Sequence, residues 1–144
     1  MLFPWFRGSE KYVPLAIRIG LGVIFLAHGL QILFGAFGGP GIPGMTAFLN
    51  QIGFQPAGLW AWFVGLAMFL GGLGVLAGLL TRWSALFLVA TMVGGIVLVH
   101  WRNGFFYPQG FEYNLTLIFM GLALILGGPG KWSIEGAMGK ERSR

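Results

Sequence analysis

Ala57 to Trp101 reads AGLWAWFVGLAMFLGGLGVLAGLLTRWSALFLVATMVGGIVLVHW, and Arg82 is its only charged residue. A helix needs roughly 20 residues to cross about 30 Å of hydrocarbon, so this run is long enough for two crossings. Thr81 and Arg82 leave room only for a tight turn between them, which makes the two helices antiparallel neighbours. The composition agrees: of 144 residues 56% are hydrophobic and 9% charged, well outside the balance of a soluble domain. Mean hydropathy is +0.79, and the chain reads as an integral membrane protein.

Working outward, a third apolar run covers Val13 to Phe34 and a fourth Glu112 to Gly128, beside Ala57 to Leu80 and Trp83 to Trp101. The expected fold is all-α, an antiparallel bundle of four transmembrane helices running up-down-up-down, with a short interfacial helix after the first span. Residues 1–12 are expected to form a cytoplasmic N-terminal segment, 13–128 the transmembrane domain and 129–144 a basic cytoplasmic tail. The first span is too long for a cleavable signal peptide and no small-residue cleavage site follows it, so it is expected to stay as a signal anchor. After it, GAFGGPGIPG should end the helix without starting another. Met45, Phe48, Leu49 and Ile52 then fall at i, i+3, i+4 and i+7, the stripe of an amphipathic helix too short to span. It suits an outer-surface lid or a hydrophobic plug over the bundle.

The net charge of +5 belongs to membrane orientation, because the basic residues flank the spans and do not line one soluble face. With both termini inside, Arg7, Lys11, Arg18, Arg82, Lys131, Lys140, Arg142 and Arg144 are cytoplasmic and only Arg102 is outside. Trp5, Trp83 and Trp132 then mark the inner interface, and Trp60, Trp62 and Trp101 the outer one. Nucleic acid is not an expected partner; the bilayer is. Cysteine is absent, which excludes disulfides, thiolate nucleophiles and cysteine-held clusters, so redox chemistry needs a bound cofactor or a partner subunit.

Small residues mark helix contacts. Arg18, Gly22 and Gly29 lie on one stripe of the first span, and the second span carries Gly65, Gly71, Gly72, Gly74 and Gly78. Such residues let helix backbones approach closely in lipid.

The polar groups concentrate in HWRNGFFYPQGFEYN, His100 to Asn114, between the third and fourth spans. At 1.5 Å per residue His100 lies about 27 Å along the helix from Arg82, and His28 about 25 Å from Lys11, so the two histidines can be level. Glu112 opens a span of only about 25 Å and is drawn toward the membrane. His28, Gln31, His100, Arg102, Glu112 and Asn114 are the candidates for an outer-leaflet pocket. One reading is structural: Glu112 pairs with Arg102 or a histidine, and Asn114 ties a loop. A second has the carboxylate and imidazole hydrogen-bond a quinone carbonyl and relay its protons. A third is a metal site, two histidines on haem iron or His28, His100 and Glu112 on a non-haem metal; no HxxxH or ExxH spacing backs it, and haem is not favoured. Ser9, Ser84, Ser133 and Ser143 all fall at the inner side, away from the histidines, which disfavours serine nucleophile chemistry.

The chain resembles the DoxX family of small four-helix membrane proteins, related to the DoxD subunit of archaeal thiosulfate:quinone oxidoreductase. The resemblance covers Pro14 to Glu135. It rests on Arg18 with Gly22, HGLQ at His28–Gln31, GGLGVLAGLLTR at Gly71–Arg82, His100, GFF at Gly104–Phe106, GFEYN at Gly110–Asn114 and GGPGKWSIE at Gly127–Glu135. Family members often carry glutamate at the position of Met68, lysine at Gln31 and aspartate at Glu135, so this chain lacks a carboxylate at the depth of Met68. The resemblance implies a polytopic subunit in a prokaryotic inner membrane, working with membrane or peripheral redox or sulfur-metabolising partners and with quinone. A stand-alone quinone-linked oxidoreductase, and a binding or transport module for a small lipophilic or sulfur compound, are the alternatives.

Overall fold

The computed structural model describes residues 8–106 and 108–142, with side chains placed through residue 139, and the described residues hold helices and no strand. Trp5, Arg7, Ser143 and Arg144 of the expected charge, aromatic and serine patterns lie outside the described residues, as do the side chains of Lys140 and Arg142. The helices are α1 (Val13–Phe34), α2 (Gly41–Gln51), α3 (Ala57–Ala77), α4 (Thr81–Gly95), α5 (Glu112–Gly127) and α6 (Ile134–Arg142). A π turn, Ile96–His100, and a 3-10 turn, Trp101–Asn103, extend α4. Three helical stretches are long and apolar enough to cross a membrane, Glu10–Phe34, Ala57–Ala77 and Thr81–Asn103, while α5 is apolar but shorter, with 16 residues.

Several boundaries differ from the sequence reading. The Gly-Pro loop does start a helix: α2 begins at Gly41, with Pro43 in its first turn, where the absent N–H leaves no helical bond unmade. The second apolar helix ends at Ala77 and not Leu80, because Gly78 takes the left-handed φ of 68° and returns its N–H to Gly74 and Val75. Thr81 and Arg82 consequently belong to the first turn of α4 and not to the connecting turn, which is Gly78–Leu80.

The backbones of α1 and α3 approach closely. A methyl group on Gly29 would sit 2.6 Å from the Phe69 backbone, and one on Gly72 would sit 2.6 Å from the Leu26 nitrogen. Gly22 faces Leu76 in the same crossing, while Gly71 and Gly74 turn the other way, toward Leu88 and Ser84 of α4. Gly121 of α5 meets Val89 of α4. Leu21, Phe25, Val75, Ala85, Leu88, Met92, Leu117 and Leu124 fill the space between these helices. Leu49 of α2 joins Ala57 and Ala61 in a second cluster, so α2 covers the start of α3. Val23, Leu59, Leu70 and Phe119 point outward with more than half of their surface exposed, an arrangement that suits hydrocarbon and not water.

One end is fastened by a buried cation. Arg18 is 1% exposed. Its Nε donates to the Val75 carbonyl and its Nη2 to the Leu76 carbonyl, both at 2.8 Å. Its Nη1 donates to the carbonyls of Pro129, Trp132 and Lys131 at 3.1 to 3.3 Å. The guanidinium thus meets the negative C-terminal end of α3 and straps it to the segment after α5. Glu135 completes the fastening: its Oε1 accepts the Thr81 N–H at the start of α4, and its own N–H donates to Gly78. Lys11 and Lys131 lie at this end, joined by the bond from the Lys131 N–H to the Lys11 carbonyl, and Arg82 lies beside Gly128.

Candidate functional site

The opposite end holds a cavity of about 210 Å³ lined by Phe25 and His28 of α1, Met68 of α3, Met92 of α4, His100, Pro108, Gly110, and Tyr113, Asn114 and Leu117 of α5. His100 reaches it because α4 does not end regularly. The Trp101 N–H bonds to the Ile96 carbonyl, a π turn whose extra residue re-aims the side chain that follows.

His100 Nδ1 lies 2.9 Å from the Gln109 carbonyl oxygen. A carbonyl only accepts, so Nδ1 carries the proton in that bond and Nε2 is left as the acceptor of the neutral ring. Asn103 Nδ2 donates to the same carbonyl at 3.2 Å, which pins the loop from both sides. Asn114, 7% exposed, donates Nδ2 to the Met92 sulfur at 3.5 Å, a weak bond for an amide that has a second N–H and a carbonyl. The cavity therefore offers an imidazole acceptor and an amide donor, with the His28 imidazole and Tyr113 phenol beside them, on walls otherwise of apolar and thioether groups.

Of the residues singled out from sequence, the fold brings His28, His100 and Asn114 to this cavity. Glu112 stands aside, lining a separate shallow depression with Phe105, Tyr113, Leu115 and Thr116. Arg102 is exposed in the 3-10 turn, and Gln31 is half-buried under Gly39, off the lining. The trio of His28, His100 and Glu112 does not gather, and among the described residues no group of three or more His, Cys, Asp or Glu is placed to hold a metal ion. Arg18, Gly22, Gly29, Gly71, Gly72 and Gly74 are all at helix contacts, and Gly78 serves chiefly as the left-handed end of α3. Met92 and Tyr113 line the cavity without having been marked, since nothing in an apolar run distinguishes a lining methionine from a core one. Met68, noted only for the carboxylate it replaces, lies on the wall itself.

Apolar helices of spanning length, an outward apolar surface and a cavity with polar groups between the helices define a multi-span helical membrane protein. The DoxX family model matches residues 13–101, and the chain belongs to the DoxX family. It is 32% identical over 138 residues to "Uncharacterized membrane protein Rv3486" of Mycobacterium tuberculosis (strain ATCC 25618 / H37Rv), covering 88% of this chain and 81% of that protein. It is 30% identical over 116 residues to "Putative oxidoreductase CatD" of Bacillus subtilis (strain 168), covering 81% of each. No solved structure matches the chain.

Proposed function

We propose that this chain is the membrane subunit of a redox-linked complex, and that its cavity binds the head group of a quinone or quinol. The observation that carries the reading is His100, fixed by Gln109 with Nε2 as acceptor, on the wall of a cavity that Asn114 also lines. A quinone carbonyl would take a hydrogen bond from the Asn114 amide, and a quinol hydroxyl would donate to His100 Nε2. About 210 Å³ accommodates one substituted ring and no more. A bound quinone would supply the electron and proton capacity that a chain without cysteine lacks. The name of the Bacillus relative agrees with redox work, and the absence of cysteine favours a subunit over a free-standing enzyme.

In this reading α5 is a fourth crossing, helped by the loop before it, and residues 13–128 form one transmembrane domain. Lys11, Arg18, Arg82 and Lys131 share the end opposite His100, and the preference of basic residues for the cytoplasm puts that end inside a prokaryotic inner membrane. Segments 1–12 and 129–144 are then cytoplasmic and the cavity lies in the outer half.

The test is binding of decylubiquinone to purified protein in nanodiscs, with crosslinking in native membranes. Wild type should bind, and Asn114→Leu and His100→Phe should each weaken binding at least tenfold, the worth of one hydrogen bond. Equal affinity in both variants, or no binding in wild type, removes the quinone assignment. A chain that crosslinks to no other protein and reduces quinone alone would make it an enzyme and not a subunit.

A further inference from the structure

We infer that the cavity is filled sideways from the bilayer, through a gap between α1 and α5, and that its ligand is a membrane-dissolved molecule with an apolar tail and not a small charged solute. The inference rests on the cavity being a binding site.

The seam between α1 and α5 is closed at one height and open at another. A methyl on Gly20 would lie 3.4 Å from Cε of Met120, so the helices touch there, just above the Arg18 fastening. His28 is eight residues beyond Gly20, about 12 Å along α1. Tyr113 is seven residues before Met120, about 10.5 Å along the antiparallel α5. The two side chains therefore lie at similar height, on the two helices that meet at Gly20 and Met120. Both line the cavity, yet His28 is exposed and Tyr113 is 42% exposed. Exposed cavity walls on both helices at one height point to a lateral opening. The core behind it stays packed, with Phe25 at 1% and Leu117 at 3% exposure.

Among the described residues, the loop before α5 covers part of the end of the cavity. Loop residues Pro108 and Gly110 form part of the lining, and the Gln109 carbonyl between them is held by His100 and Asn103. The Phe111 N–H donates to Gly104 and the Glu112 N–H to Phe105, closing the loop at its base. Phe111 stacks on Trp101 with centroids 5.7 Å apart and meets Phe105 edge-on. A route straight from water would have to part the loop at Pro108 and Gly110, whereas the α1–α5 side presents two exposed wall residues, His28 and Tyr113. A ring entering between His28 and Tyr113 keeps its tail in hydrocarbon, while a sulfur oxyanion would have to shed its hydration to reach the same gap.

Because the chain has no cysteine, single nitroxide labels can be placed cleanly. Labels on His28→Cys, Tyr113→Cys, the loop variant Gln109→Cys and the outward control Leu70→Cys would be compared in nanodiscs. Power-saturation EPR would use oxygen as the lipid-side collider and a neutral Ni(II) chelate as the aqueous one. Oxygen should dominate at 28, 113 and 70, and the Ni(II) chelate at 109. Decylubiquinone should at least halve oxygen access at 28 and 113, leave 70 unchanged, and be matched by no effect of thiosulfate. Aqueous collisions dominating at 28 and 113, or shielding by thiosulfate, would overturn the lateral route. If wild type binds decylubiquinone but neither label is shielded, the route fails while the binding reading stands; if wild type does not bind it, the binding reading fails first and takes the route with it.

Discussion

Replacing Arg18 with methionine removes a guanidinium that satisfies five backbone carbonyls and leaves a side chain of similar length in its slot. The two bonds at 2.8 Å are well formed, while the three from Nη1 at 3.1 to 3.3 Å share one nitrogen and count together as roughly one more. Three effective bonds from a charged donor, at about 1.5 kcal/mol each, total about 4.5 kcal/mol. Methionine also removes the desolvation penalty of a buried charge, which offsets part of that sum and leaves a destabilisation of about 3 kcal/mol. For a chain of this size that lowers the melting temperature by about 6–12 °C. Tryptophan fluorescence against temperature or added SDS in mixed micelles would read it. Arg18→Lys keeps the charge but loses the fork, so it should recover about half of the loss. Arg82→Gln, at an exposed site, should stay within about 0.5 kcal/mol of wild type. A methionine variant within about 1 kcal/mol of wild type would refute the view that this cation fastens α1, α3 and the segment after α5.

Other expectations follow from the same geometry. Gly29→Ala should destabilise by about 1–3 kcal/mol, because its methyl would meet Phe69 backbone at 2.6 Å, whereas Gly94→Ala, with nothing within 4 Å, should be neutral or slightly stabilising in the same melts. Glu135→Ala removes the acceptor for the Thr81 N–H and should lower stability by about 1 kcal/mol; an unchanged melt would mean that water replaces the cap. In binding titrations His100→Phe keeps a ring but neither nitrogen, so decylubiquinone affinity should fall at least tenfold, while Arg102→Gln, off the cavity, should leave it unchanged.

How much of this was legible in the sequence differs by element. The first and fourth apolar helices begin at Val13 and Glu112 as their runs of apolar residues indicate, because a spanning helix is written in composition and length. The start of α2 was hidden, since a proline in a first turn looks the same as a proline in a loop. Depth counting placed His28 and His100 at similar heights, and they line one cavity. Glu112 was grouped with them by height, at the opening of a short span. It lies on the first turn of α5, where a two-residue step to Asn114 turns the side chain about 200° around the axis, so one faces the cavity and the other a neighbouring depression.

The sequence by itself determined that the chain is a helical membrane protein of the DoxX family and that His28 and His100 share one end, because hydropathy and motif order act locally and survive any detail of packing. Only the tertiary structure decided which polar groups share a cavity, what Arg18 holds, and where the α1–α5 seam opens. Those outcomes depend on helix rotation, on a π turn that re-aims His100, and on backbone carbonyls that every residue possesses and no sequence pattern marks.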